Sequence, residues 1–370
     1  MNAGSGSQPD GRSSPDRSPR TRTDRVLAID EHLSRLPARP LRPYVAWYAG
    51  YRQRGLAPAV HRGLPSPFLT LIVTLDEPLT MLAHPDPGQL PGEFVTLLGG
   101  LHSTPALITH DGAQSGIQVA LRPLGTRSLL GLPAGELADI DVPAESVLGV
   151  ACAELRERIL AVPGWDNRFA VLDEILLRLL GVHPGELAKQ GPGARAGEPA
   201  GVAPEVGWAW RQLLRAGGAV RVSDLASQTG WSARHLTSRF RTEVGLTPKA
   251  AARVIRFSRA RRLLAQAATA PQTPQAQQTP QAQQTPQAQQ TPQAQQTPQA
   301  QQTLQTPRMN GRDLRLADLA AECGYFDQAH LAREFRSLAG LPPSRWLAEE
   351  FRNVQDPNWL SEATWGDQAW

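Results

Sequence analysis

Two stretches of the chain share one pattern of apolar, glycine and proline residues: LASQTGWSARHLTSRFRTEVGLTP at 225–248 and LAAECGYFDQAHLAREFRSLAGLPP at 319–343. Each begins with Leu-Ala, passes through a glycine and an aromatic residue to a His-Leu pair and a Phe, and ends at Gly and Pro. The spacings agree except for one additional residue before the second His-Leu pair. Two helices joined by a glycine turn form a helix-turn-helix, the unit that places a recognition helix in the DNA major groove. The sequence therefore predicts this unit twice.

The second helix of each unit is predicted to have one apolar and one polar side. Ser232 is a suitable N-cap for a helix over 233–244, in which Leu236 and Phe240 lie four residues apart on the inner side. Asp327 is the corresponding cap for a helix over 328–339. The side chains predicted to point outward, toward DNA, are Arg234, Thr237, Ser238 and Arg241 in the first unit, and Gln328, Ala329, Ala332, Arg333 and Arg336 in the second.

Positive charge is concentrated next to the first unit. Residues 204–267 contain 12 Arg or Lys against three Asp or Glu, whereas residues 27–203 contain 14 against 18. A long helix predicted from Pro248 to about residue 266 carries a stripe of arginines, three residues apart, at Arg253, Arg256 and Arg259. Such a stripe can be a solvated face, but beside two helix-turn-helices it favours contacts with phosphates.

The residues of the two units resemble the AraC/XylS family of bacterial transcription regulators, and this resemblance covers 204–351. It implies two recognition helices docked in adjacent major grooves of one DNA face. The base-reading positions of the family correspond here to Arg234, Thr237, Ser238, Gln328, Ala329, Ala332 and Arg333. Phosphate contacts are expected from Arg241, Arg253, Arg256, Arg259 and Arg336. For His235 and His330, a structural hydrogen bond and a phosphate contact are equally consistent with the family geometry.

Short apolar runs punctuated by Gly, Pro and Asp predict a β-rich segment over 40–122. The runs at 106–109 and 117–121 flank a polar stretch, 111–116, that is typical of a hairpin loop. From about 125 to 183 the apolar period changes to that of amphipathic helices. The predicted fold is α+β and multidomain. It combines an N-terminal small β-barrel or sandwich-like sensor domain with trailing helices and a C-terminal all-α tandem helix-turn-helix domain.

Composition sets the predicted boundaries. A tail rich in Pro, Ser and charged residues (1–26), which we expect to be disordered, precedes the β-rich domain with its helices (27–183). A linker rich in Gly, Pro and Ala (184–203) leads to the DNA-binding domain (204–351). A repeat of Pro-Gln-Ala-Gln-Gln-Thr interrupts that domain at 271–307. Since it offers almost nothing apolar to bury, we expect a disordered low-complexity insert. A C-terminal tail follows at 352–370.

The sequence favours a transcription regulator over an enzyme. It contains no nucleophile elbow, P-loop or dinucleotide fingerprint, and no catalytic residue, cofactor or metal site is predicted. Four histidines in the β-rich segment, His61, His84, His102 and His110, leave a cupin-like metal-binding enzyme domain fused to a DNA-binding module as the alternative. An interaction protein that uses the Gln-rich insert is a third interpretation.

The expected partners are double-stranded DNA, a small-molecule effector and RNA polymerase, with monomer and homodimer both open. Two distant cysteines and the lack of a 20-residue apolar run predict a cytoplasmic protein without a membrane segment.

Overall fold

The computed structural model describes residues 28–181, 201–269, 308–309, 312–313 and 315–350. The predicted tails, the low-complexity insert and most of the predicted linker lie outside these residues. Within them, an N-terminal part of two β-sheets with trailing helices is joined to a C-terminal helical part. No helix in the described ranges is both long and apolar enough to cross a membrane.

Ten strands form the N-terminal part. They are β1 (Ile29–Arg35), β2 (Val45–Arg54), β3 (Ala59–Gly63), β4 (Leu69–Thr74), β5 (Leu79–Ala83), β6 (Gly92–Phe94), β7 (Thr96–Gly99), β8 (Ala106–His110), β9 (Gln114–Leu121) and β10 (Asp141–Pro143). One sheet has the order β1-β2-β9-β4-β7-β10 and the other the order β3-β8-β5-β6. All neighbouring strands in both sheets are antiparallel.

The central strands of the larger sheet, β4, β7 and β9, are buried on both faces, and their side chains alternate between two cores. Leu71 of β4 belongs to the main core with the trailing helices, whereas its neighbour Ile72 packs with Met81 and Ile108 of the smaller sheet. The N-terminal part therefore has three layers: small sheet, large sheet and helices. The sandwich-like α+β prediction is confirmed, but the two sheets remain separate and do not close into a barrel.

The hairpin predicted around 111–116 is wrong. Strand β8 pairs with β3 and β5 in the smaller sheet, while β9 pairs with β2 and β4 in the larger one. Residues 111–113 thus carry the chain from one sheet to the other. Turn-forming residues mark a reversal of the chain, but the partners of a strand are chosen by distant residues that bury its apolar face.

The trailing helices are α1 (Thr126–Leu130), α2 (Glu145–Leu148), α3 (Val150–Ala161) and α4 (Trp165–Leu179), with 3₁₀ turns at Pro123–Gly125 and Ala134–Leu137. Helix α4 is tied to the sheet by the buried carboxylate of Asp173. That carboxylate accepts hydrogen bonds from the Tyr48 hydroxyl at 3.0 Å and the Ala38 amide at 2.9 Å.

Within the described ranges, the C-terminal part has seven helices: α5 (Pro204–Arg215), α6 (Val222–Thr229), α7 (Ala233–Val244), α8 (Pro248–Thr269), α9 (Leu316–Glu322), α10 (Gln328–Ala339) and α11 (Pro343–Glu349). It also has one antiparallel pair of short strands, Arg308–Met309 and Arg312–Asp313. The pairs α6–α7 and α9–α10 are the two helix-turn-helices, and α8 links them. Helices α7 and α10 have the predicted bounds, 233–244 and 328–339.

Candidate nucleic-acid interface

The second helix of each unit, α7 or α10, begins in the same way. Gly230 and Gly324 adopt the left-handed conformation, with φ of 72° and 74°, which an L-residue adopts only with strain. The Ser232 hydroxyl then accepts a hydrogen bond from the His235 amide at 3.2 Å, and Asp327 accepts one from the His330 amide at 2.6 Å. Both predicted N-caps are therefore present, and both helices start at fixed positions.

The inner side of each helix is buried against aromatic neighbours. Phe240 lies 6.0 Å from the Trp210 ring, and Phe335 lies 4.9 Å from Phe257 of α8 and 5.7 Å from Trp346 of α11. Leu236 and Leu331 are fully buried. Because the inner side is fixed by this packing, the opposite side of each helix is presented to solvent.

The predicted base-reading side chains lie on those outer sides. The exposed ones are Arg234, Ser238, Gln328, Ala329 and Arg333, and the half-buried ones are Thr237 and Ala332. The two arginines have no hydrogen-bond or ion-pair partner among the residues that the structure describes. Such guanidinium groups are available for guanine edges, and the Gln328 amide for adenine. Their contact with bases remains a prediction.

The two histidines have equivalent packing roles. The His235 ring makes an edge contact with Trp231 at 4.5 Å, and the His330 ring does so with Tyr325 at 5.3 Å. His330 Nδ1 also accepts a hydrogen bond from the Phe326 amide at 3.3 Å. These contacts favour the structural role over the phosphate contact.

The arginines predicted to contact phosphate divide into two groups. Arg241 and Arg336 are exposed on the recognition helices. Arg253 and Arg256 instead form ion pairs with Glu334 of α10, at 2.9 and 3.1 Å, and Arg259 lies 3.7 Å from Glu322 of α9. The stripe on α8 therefore faces acidic groups of the second unit, which disfavours a phosphate role for Arg256 in particular.

Glu334 connects the second unit to the linking helix α8. Its side chain is 6% exposed, and Arg256 also donates to the Gly218 carbonyl at 2.8 Å and lies 5.6 Å from the Tyr325 ring. Glu334 was not among the residues predicted from the sequence. Its spacing was a usable signal, because it lies three residues after Leu331 and therefore on the apolar side of α10.

The N-terminal part contacts recognition helix α7 directly. Arg127 binds Glu243 through two hydrogen bonds, of 2.7 and 3.0 Å, and the Glu243 side chain is 1% exposed. This interaction raises the pKa of the Arg127 guanidinium above its ordinary value. A Cβ atom on Gly135 would lie 2.4 Å from the Thr242 carbonyl oxygen, so only glycine allows this close approach.

These contacts create an open groove beside the outer side of α7. One wall is formed by Pro133, Gly135 and Glu136, and the other by α7 residues that include Arg234, Thr237, Ser238 and Arg241. The side of α7 that is predicted to contact bases therefore lies next to residues 133–136 of the N-terminal part. No pattern in the sequence predicted this contact.

A second cleft lies between the two β-sheets and extends to the C-terminal part. Its cavity volume is about 90 Å³. Both sheets line it with apolar residues and with polar ones such as Gln118 and Asp141. The C-terminal part contributes Ser258 and Arg261 of α8, Trp346 of α11 and Glu350, which follows α11. A cleft with apolar walls and a few polar groups is the usual form of a small-molecule site.

The four histidines of the β-rich segment are dispersed among separate contacts. His84 bonds Asp141 at 2.8 Å, His102 is bonded to the Thr104 carbonyl, and the His61 and His110 rings lie 5.8 Å apart. Within the ranges that the structure describes, no three His, Cys, Asp or Glu side chains are grouped in a way that could hold a metal ion.

Comparisons with known proteins match the two parts unequally. Residues 34–143, which contain most of the two-sheet unit, match a family described as a domain of unknown function (DUF6597). No curated protein sequence matches the chain. The helix-turn-helix architecture that the resemblance to the AraC/XylS family implies is present in the structure, as two units joined by α8.

Solved structures of ToxT from Vibrio cholerae are similar over most of the chain. A single-substitution variant of apo ToxT is 9% identical, with 82% of this chain and 96% of that chain covered and a TM-score of 0.42. A second ToxT structure is 11% identical, with coverages of 82% and 97% and a TM-score of 0.41. ToxT bound to an unsaturated fatty acid is 8% identical, with coverages of 87% and 95% and a TM-score of 0.40.

Proposed function

We propose that this protein is a sequence-specific DNA-binding transcription regulator of the AraC type. The observation that carries the proposal is the pair of capped recognition helices, α7 and α10, whose inner sides are fixed against one scaffold. Their outer sides present a glutamine and arginines that have no ion-pair partner among the described residues. These side chains are the best suited to purine edges. Double-stranded DNA is then the principal partner, with RNA polymerase as a further expected one.

The experiment is a titration of the full chain with a DNA site selected from random duplexes and with random competitor DNA. Arg333→Ala should lower discrimination at one base pair by about 1–3 kcal/mol while random DNA is bound almost as well. Arg54→Ala is the matched control, because that arginine is also exposed but pairs with Asp76 in the N-terminal part. Equal losses on both DNAs for Arg333→Ala would contradict base reading.

For the N-terminal part we propose effector sensing, with the cleft between the sheets as the ligand site. This cleft is suitable because α8 and α11 form part of its wall, so that an occupant contacts both parts of the chain. Its contents would bias how the C-terminal part sits on the sheets, including the contact of Arg127 with Glu243 on α7. Binding of a small molecule should therefore change the affinity for DNA. A ligand that binds the full chain and leaves the DNA affinity unchanged would contradict this role.

A further inference from the structure

The additional residue of the second unit can be assigned from the structure. In both units a left-handed glycine begins the turn and a capping side chain, Ser232 or Asp327, ends it. One residue, Trp231, lies between them in the first unit, and Tyr325 and Phe326 lie between them in the second. Which of these two is additional is decided by their contacts.

Tyr325 has the role of Trp231. The Trp231 amide donates to the Ala226 carbonyl at 3.1 Å, and the Tyr325 amide donates to the equivalent Ala320 carbonyl at 2.8 Å. Each of the two rings also makes the edge contact with the histidine of its own recognition helix. Phe326 is therefore the additional residue.

Among the residues that the structure describes, Phe326 has no packing role. Its side chain is 92% exposed, the highest value among the exposed large apolar residues of the described chain. A residue just before an N-cap often packs on the fourth residue of the helix, here Leu331, but Leu331 is fully buried without it. The backbone of Phe326 is nevertheless fixed, because its amide donates to His330 Nδ1.

The position of Phe326 indicates what it contacts. A recognition helix enters the major groove with its N-terminal residues nearest the base edges, and Phe326 immediately precedes the cap of α10. Exposed Gln328 and Ala329 are its neighbours on that end of the helix. A phenyl ring gains little from phosphates, whereas the 5-methyl group of thymine is the apolar group that the major groove offers.

We propose that Phe326 is a specificity residue that contacts the 5-methyl group of a thymine at the base step read by the start of α10. This inference rests on the proposed DNA-binding function. It explains an exposed aromatic side chain on a fixed backbone at the leading end of a recognition helix.

The test uses the full chain and a duplex site selected from random DNA, in which each thymine is replaced in turn by deoxyuridine. Deoxyuridine pairs identically but lacks the methyl group. We expect one replacement, in the half bound by α10, to weaken binding about fourfold, the factor that corresponds to ~0.8 kcal/mol for one buried methyl group. The same replacement should have no effect on Phe326→Ala, and Phe326→Leu should retain part of the effect.

Two further readouts separate this role from others. Because Phe326 is exposed, Phe326→Ala should leave the unfolding transition unchanged, as should the control Leu90→Ala at another exposed site. The salt dependence of binding should also remain that of the unaltered protein, because no phosphate contact is lost.

Failure of this inference can be distinguished from failure of the proposed function. A selected site whose affinity is insensitive to every deoxyuridine, or equally sensitive in Phe326→Ala, would overturn the inference alone. A changed salt slope or a destabilised Phe326→Ala would overturn it as well. If no sequence can be selected, both the inference and the proposed function are wrong.

Discussion

Replacing Glu334 by glutamine should weaken the contact between the second helix-turn-helix unit and the linking helix α8. The substitution keeps the shape of the side chain but removes the charge that pairs with Arg253 and Arg256. Breaking a buried ion pair on one side costs about 3–5 kcal/mol, because the remaining charge has lost its counterion. The lower end applies here, since the Arg253 side chain is 33% exposed and Arg256 keeps the Gly218 carbonyl. We therefore expect a loss of about 3 kcal/mol in the free energy of unfolding.

The assay is urea unfolding of the full chain, followed by tryptophan fluorescence. Glu322→Gln is the matched control, because Glu322 pairs with Arg259 of the same helix α8 at 3.7 Å, but with both side chains more than a third exposed. An exposed pair of this kind contributes at most about 1 kcal/mol. The difference between the two losses in free energy of unfolding measures the effect of burying the ion pair, rather than the effect of removing a charge alone.

DNA binding by Glu334→Gln gives a second readout. If α8 and α10 are held together through Glu334, the variant should lose affinity for a site with two boxes more than for a site with one. The reasoning is refuted if Glu334→Gln destabilises the chain no more than Glu322→Gln does.

Three other outcomes follow from particular groups. Arg127→Ala should raise affinity for a selected DNA site about fivefold or more (~1 kcal/mol), because it weakens the contact that holds α7 on the N-terminal part. The control Arg158→Ala, which alters a surface ion-pair network, should leave the affinity unchanged. Equal effects of the two substitutions would count against a role for the Arg127 contact. Burial, with His110 nearby, lowers the pKa of His61 to about 4 from 6.5. Between these two pKa values the unfolded chain binds a proton that the folded chain excludes, so the free energy of unfolding should rise by about 3 kcal/mol from pH 4 to pH 6.5. If His61→Gln kept the same rise with pH, the rise could not be assigned to His61. Burial raises the pKa of the Cys323 thiol to about 12, so iodoacetamide at pH 8 should modify it only after unfolding, and rapid modification of the native chain would argue against it.

Local patterns were sufficient to predict the helical units. The caps Ser232 and Asp327, the turn glycines and the spacing of Leu236 and Phe240 specify where each recognition helix begins and which side it buries. All of these features act within a few residues of one another, so a short stretch of sequence is enough to recognise each helix and its buried side.

Contacts between distant segments could not be predicted in the same way. The prediction of a hairpin at 111–116 was wrong because strand pairing depends on which apolar faces meet. The strands that pair are tens of residues apart in the sequence. The stripe of arginines on α8 looked like a phosphate surface because its acidic partner, Glu334, lies far along the chain, beyond the low-complexity insert. The contact of Gly135 with α7 left no local pattern at all, since many glycines occur in loops without any such neighbour.

The most direct test of the central claim is selection of binding sites from random duplex DNA by the full chain at moderate ionic strength. Two helices that enter adjacent major grooves on one face should enrich two short boxes whose centres are about 10 base pairs apart. Arg234→Ala should relax the base preference in one box, and Arg333→Ala in the other. No enriched sequence, or a single box that both variants affect alike, would contradict the account.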